Sequence, residues 1–241
     1  MGEVGGIAGI VTLTGRLPAA ARERALSMQA ALRHRGPDAR GVYIEERAAL
    51  VQTGAVPCRV SLGEETYVAL YDGELYNPEE LRLQLAREGS ACESETDAEI
   101  FARGYAVWGP GCVEKAQGVY AVAVYQLRAG RLFLARDRMG DRPLFYALRQ
   151  GTLLFASELP ALLQSRLVEP VIGPQGVAEI LLLGPGRMPG SGVYRGVSEV
   201  KPARRLMFTA EGLRTERYWK LMDRAHEEGP EMTLERTRFL T

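Results

Sequence analysis

The chain has 241 residues, 46% of them apolar, with thirty Lys and Arg balanced by thirty Asp and Glu. That is the composition of a folded globular protein with no net field to draw nucleic acid or an anionic membrane. No run approaches the ~18 to 20 continuous apolar residues of a membrane span, and the start lacks the basic and apolar regions of a signal peptide, so neither insertion nor export is expected.

In chain order, Gly6 to Leu13 is patterned as a strand. Pro18 then opens a helix whose apolar residues Ala21, Ala25, Met28 and Leu32 recur at spacings of four and three, ending at Gly36-Pro37. Val42 and Ile44 alternate with Tyr43 and Glu45, and Tyr67 to Leu70 is a short apolar run, so strands of one sheet are predicted there. Asn77 supplies a cap for a helix with Pro78 at its first position, Glu79 and Glu80 in its first turn and Gly89 as its stop. Thr96 and Glu99 have the spacing of a capping box, after which Ile100, Phe101, Gly104, Tyr105 and Trp108 share one helix face. Val119 to Tyr125, Arg131 to Ala135, Leu144 to Ala147 and Leu153 to Ala156 are strand-like runs separated by turn residues, the pattern of an antiparallel meander. Further helix and a final strand pair follow. The stretch 223–241 is charged and turns at Gly229-Pro230, so it is assigned as a tail to a domain spanning 1–222. Strands grouped around a pair of helices imply sheets covered by helical layers.

Few residues are equipped for chemistry. His34 lies in a charged turn, where a structural part is expected, and His226 lies in the tail. Cys58, Cys92 and Cys112 form no CxxC pair and are odd in number, which argues against a disulfide framework or zinc and for a reducing, cytoplasmic setting. No HExxH, GxSxG or P-loop pattern occurs, so neither a metal nor a cofactor is called for. Met1-Gly2 would open a myristoylation signal, but Gly6 stands where Ser or Thr is needed.

Several segments together resemble one family. Gly5 to Ile10 (GGIAGI), Arg33 to Asp38 (RHRGPD), Gly73 to Arg82 (GELYNPEELR) and Ser94 to Glu99 (SETDAE) resemble segments of glutamine-hydrolysing asparagine synthetases. Tyr105 to Gly109 (YAVWG), Arg136 to Tyr146 (RDRMGDRPLFY), Phe155 to Leu163 (FASELPALL), Gly196 to Leu206 (GVSEVKPARRL) and Tyr218-Trp219 continue the match in order. The chain is therefore identified as resembling a class II glutamine amidotransferase domain. The resemblance implies an α+β fold, the four-layer αββα sandwich of two antiparallel sheets of an N-terminal nucleophile hydrolase. In that family an N-terminal cysteine thiolate attacks the glutamine amide, its own amine serves as base, and ammonia is released.

The match departs from the family where that chemistry sits. Gly5 occupies the nucleophile position, preceded by four residues, so it has neither a thiol nor a free amine. Asp72 stands for the asparagine whose amide stabilises the oxyanion, and an ionised carboxylate is acceptor-only. Gly54 aligns with the arginine that holds the glutamine carboxylate, with Arg47 or Arg59 as nearby substitutes. Asp72, Gly73, Glu74 and Asp97 are thus a vestigial substrate-binding set with no catalytic residue, Gly73 and Asp97 serving the fold. The space around Gly5, Gly73 and Asp97 is expected to be partly narrowed or solvent-filled, since no side chain projects from Gly5, and Cys58 lacks a base to make it a displaced nucleophile.

The synthetase half of the family, with its SGGxDS phosphate loop, does not occur in these residues. The first functional expectation is a glutaminase-inactive pseudoenzyme domain of amino-acid metabolism that is a structural or regulatory partner of a separate ATP-pyrophosphatase synthetase subunit, similar to the inactive domain of beta-lactam synthetase. The alternatives are an active amidotransferase supplying ammonia for asparagine-type amidation and an amino-acid sensor acting through Asp97. A homo-oligomer is compatible with each, and no nucleic acid or membrane partner is expected.

Overall fold

Residues 5–13, 15–184, 186–223, 225 and 228–240 are described by a computed structural model of the chain. The order is β1 (Gly6–Thr12), α1 (Ala21–Ala31), β2 (Arg40–Ile44), β3 (Ala48–Thr53), β4 (Cys58–Leu62), β5 (Glu65–Leu75), α2 (Pro78–Arg87), α3 (Asp97–Trp108) and α4 (Cys112–Lys115). It continues with β6 (Gly118–Gln126), β7 (Arg131–Arg136), β8 (Phe145–Arg149), β9 (Thr152–Ala156), α5 (Leu159–Gln164), α6 (Pro174–Leu183), β10 (Val197–Glu199), β11 (Arg204–Thr209), β12 (Gly212–Arg217) and α7 (Pro230–Leu240). The strands form two six-stranded sheets, ordered β10-β8-β9-β1-β3-β2 and β12-β11-β7-β6-β5-β4. Every named pairing is antiparallel.

Three apolar layers hold the sheets in register. Between the sheets, Ile7, Val11 and Leu50 of the first meet Val68, Leu70, Ala121 and Leu134 of the second. Ala8, Ile10 and Val51 point the other way, to Ala25 and Met28 of α1 and Leu162 of α5. On the opposite outside, Tyr71, Tyr120 and Phe133 receive Phe101 and Tyr105 of α3. Alternate strand residues face opposite sides of a sheet, so each central strand serves two of these layers at once. The result is the predicted αββα sandwich, with β6 as a buried central strand.

Four local expectations need correction. The 119–156 runs are two hairpins in different sheets, since β6 pairs with β7 while β8 pairs with β9. The chain leaves the second sheet at Asp137, whose carboxylate accepts the N–H groups of Met139 (3.0 Å), Gly140 (2.5 Å), Asp141 (3.2 Å), Arg142 (3.2 Å) and Tyr120 (3.3 Å). One side chain thus replaces the ladder bonds that a continuing meander would have made. The strands predicted at 42–45 and 67–70 belong to different sheets, β2 at the edge of the first and β5 inside the second; on β2 Val42 is exposed and Tyr43 packs against the inter-sheet core. Asn77 starts α2 without a side-chain cap; its Oδ1 accepts from Gln117 N (2.9 Å) and its amide donates to Lys115 O (3.1 Å). Thr96 does cap Glu99 N (3.4 Å), but Glu99 turns away from Thr96 N to accept from Glu93 N (2.8 Å), Ser94 N (2.6 Å) and Arg103 Nε (2.5 Å). Within 223–241, residues 230–240 are helical, and His226 lies outside the described residues.

Candidate functional site

The head of β1 is where the two sheets and the end of α1 converge. Gly6 pairs with Thr53 at the end of β3, and Gly6 N–H donates to Thr53 Oγ1 (3.0 Å). Ile7 N–H donates to Ser157 Oγ (3.0 Å), just past the end of β9. After α1, a single 3-10 turn (Arg33–Arg35) brings the Arg35 guanidinium back over Gly5.

Gly5 is buried and held by both its backbone groups. Its N–H donates to Asp72 Oδ1 (3.3 Å), and its carbonyl accepts from Arg35 Nε (2.9 Å). A Cβ added here would lie 1.9 Å from the Thr53 carbonyl oxygen, so the position admits no side chain as the backbone stands. Arg35 uses its remaining nitrogens as a fork, donating to Asp72 Oδ2 (2.7 Å) and Glu158 Oε1 (3.1 Å). Arg142 Nη1 reaches to 3.8 Å from Asp72 Oδ1, and His34 Nε2 lies 2.9 Å from Glu158 Oε1.

The ionised pair Arg35 and Asp72 is nearly dry. The Asp72 side chain is fully buried and Arg35 is mostly so. Burial pushes the Asp72 carboxyl above its ordinary range, against the opposing pull of Arg35, Arg142 and the Gly5 N–H. Both carboxylate oxygens are therefore engaged in accepting bonds and charge.

Gly73 follows Asp72 on β5, where a Cβ would stand 2.1 Å from Val119 O of β6. Glu74 is exposed. Asp97 sits at the start of α3, accepting from Leu75 N–H (3.0 Å). Burial raises its pKa, with the Leu75 N–H, Arg82 and Tyr71 opposing. Asp97 thus fastens α3 to β5.

Arg35, Arg142 and Glu158 complete the cluster and were not singled out from the sequence. Each nevertheless falls inside a matched motif, RHRGPD, RDRMGDRPLFY and FASELPALL respectively. Arg47 is excluded as a substitute arginine: its carbonyl accepts from Thr12 N–H (2.9 Å), at the far end of β1 from Gly5. Arg59 lies on the edge strand β4, opposite Val68. Gly54 is indeed beside Gly5, its Cα 3.6 Å from the added Cβ, and its N–H donates to Gly36 O and Ala39 O. His34 pairs with the Glu158 carboxylate, and Cys58 packs on the α3 side of the second sheet. Among the described residues no group of three or more His, Cys, Asp or Glu could hold a metal ion.

Two antiparallel sheets packed face to face between helical layers are a fold shared by solved structures. The structure of the allosteric regulatory enzyme of purine biosynthesis aligns with 91% of this chain and 50% of its own at TM-score 0.67 and 18% identity. The glutamine phosphoribosylpyrophosphate amidotransferase from B. subtilis aligns over the same shares at TM-score 0.64 and 18% identity. The glutamine amidotransferase domain family matches residues 4–219, and the chain belongs to it. Among curated relatives, asparagine synthetase (glutamine-hydrolyzing) 3 of Bacillus subtilis strain 168 is 35% identical over 218 residues, 87% of this chain and 36% of that protein. Putative asparagine synthetase (glutamine-hydrolyzing) 2 of Methanocaldococcus jannaschii is 25% identical over 231 residues, 84% of this chain and 44% of that protein. The domain is therefore of the asparagine-synthetase-like class II type, and the chain spans less than half the length of these relatives. No helix among the described residues is long and apolar enough to cross a membrane.

Proposed function

We propose that this domain does not hydrolyse glutamine and acts in the cytoplasm as a structural or regulatory partner of an ATP-dependent synthetase, with residues 1–222 as the amidotransferase-like unit and 223–241 as an appended tail. One observation carries the reading: at the nucleophile position the backbone N–H of Gly5 is spent on Asp72, and the Thr53 carbonyl occupies the place of a Cβ. A glutaminase needs a nucleophile with a base beside it and donors facing the oxyanion. Here a peptide nitrogen and a carboxylate already bound to Arg35 stand in those places. The Asp72, Arg35 and Glu158 ion pairs give the cluster a different use, clamping β1, β5 and the loop after β9 together at one point.

Gly73 and Asp97 fit the same reading, because their contacts are backbone packing and a helix-to-strand bond rather than an open amino-acid subsite. The test is ammonia release from glutamine by the purified chain, alone and with the ATP-pyrophosphatase-type synthetase of the same genome. No release in either case, with complex formation in the second, is the expected result. Turnover of glutamine by the chain would overturn the reading.

A further inference from the structure

α6 is attached to the body of the protein by very little. Gly176 approaches so closely that a Cβ would stand 2.3 Å from Val193 O. Glu179, the sole ionisable residue of the helix, turns inward and is buried. Its carboxylate accepts from Met188 N–H (2.5 Å) and from the Ser191 hydroxyl. No other α6 residue is buried.

The rest of the helix is an uncharged apolar surface facing outward. Val177, Ile180 and Leu183 are exposed, Leu181 is 77% exposed and Leu182 is 82% exposed. A solvated surface helix carries charged residues on its outer face, and this one has none. Its chemistry calls for a dry apolar partner and gives nothing to a phosphate backbone.

The geometry of the open face selects among such partners. At ~100° per residue, the arc from Ile180 through Val177 and Leu181 to Leu182 covers about 200° of the helix. A second copy of the same helix, packed about a two-fold axis, would cover only a stripe of about 100° and leave Leu182 in water. A wrap that wide needs a groove in a larger body, as in helix-in-groove recognition. The relatives that contain this domain have such a body to offer, since the matched segment is 36% of one and 44% of the other.

We infer that the outer face of α6 is the docking surface for the ATP-dependent synthetase, seated in an apolar groove of that partner, an inference that rests on the function proposed above. The test is titration of the chain with the purified ATP-pyrophosphatase-type synthetase of the same genome, using wild type, the double variant Leu181→Glu, Leu182→Glu, and Leu83→Glu, an exposed apolar position on α2. Two charges at the centre of an apolar interface should weaken binding ~100-fold or more, while Leu83→Glu leaves it unchanged. Hydrogen exchange should show residues 174–183 protected in the wild-type complex, and the melting temperature of the double variant should match wild type. Binding of the double variant at wild-type strength would overturn this inference and leave the proposed function standing. Absence of binding by wild type would overturn both. A wild-type homodimer that the double substitution dissociates, or flotation of wild type with phosphatidylcholine vesicles that it abolishes, would assign the face to another occupant and likewise overturn the inference.

Discussion

Replacing Gly5 by cysteine would restore the thiol that the family uses, and the structure indicates what it would cost. The new Cβ would lie 1.9 Å from Thr53 O, roughly 1.5 Å short of ordinary contact. Thr53 has little room to retreat, because it pairs with Gly6, its hydroxyl accepts from Gly6 N–H and donates to Leu32 O (3.2 Å), and Gly54 N–H is bonded on its far side. Overpacking of this kind costs about 1 to 3 kcal/mol. For a domain of this size that lowers the melting temperature by about 2 to 12 °C. The variant should release no ammonia from glutamine, since the cysteine nitrogen would still be an amide and Asp72 would oppose the oxyanion. Removing residues 1 to 4 as well would expose an amine, and adding Asp72→Asn to that form should raise turnover by ~10²- to 10³-fold. Thermal melts and ammonia release on the three forms are the assays. An untrimmed Gly5→Cys protein that melts with wild type would refute the packing argument, and one that turns over glutamine would refute the assignment of Gly5 and its base.

In the otherwise unaltered chain, Asp72→Asn should lower stability by about 1 to 3 kcal/mol in chemical denaturation, because it removes the buried charge that Arg35 donates to at 2.7 Å. Asp137→Ala would orphan five N–H groups in and beside the crossing between sheets, and should cost at least ~4 kcal/mol, seen as loss of the cooperative melt. Glu99 gives an acid limb. Burial alone would raise its pKa, but the bonds from Ser94, Glu93 N–H and Arg103 outweigh burial and bring it to about 2 from 4.5. A carboxyl depressed in the folded state stabilises above its unfolded pKa and loses that contribution as pH falls through the folded one, so wild type should lose about 3 kcal/mol between pH 5 and pH 2. Glu99→Gln should lack that loss when stability is followed by urea titration across the same range.

The elements that sequence identified best are those whose signal is local. The Ala21, Ala25 and Met28 spacing gave α1, and Pro78 with its acidic first turn gave α2, because helix periodicity and end chemistry act within a few residues. The division of 119–156 between two sheets was not legible. It depends on Asp137 gathering N–H groups from its own turn and from Tyr120, and an aspartate in a turn has the same appearance in a meander. Glu99 shows the same limit: its spacing from Thr96 fits a capping box, while its partners come from the folded-back loop at Glu93 and Ser94. At the site, the motifs pointed to Gly5 and Asp72, which the structure brings together. They did not reveal that Arg35, Arg142 and Glu158 join them, since those residues are 30 to 153 positions from Gly5 in the chain and spacing carries no distance.

The place of β1 in its sheet has a consequence for how the chain is made. It lies between β3, which follows within about forty residues, and β9, where Ala8 pairs with Ala156. On a ribosome moving at ~5 to 20 residues per second, roughly 7 to 30 s separate the synthesis of β1 from that of its second neighbour. For that interval one edge of a wholly buried strand, GIAGIVT, has no partner from its own chain. An unpaired apolar edge is a template for other strands, so the nascent protein is most open to mispairing and to chaperones before residue 156 emerges. Variants that weaken β9 should accordingly reduce soluble yield more than their effect on the finished fold would account for.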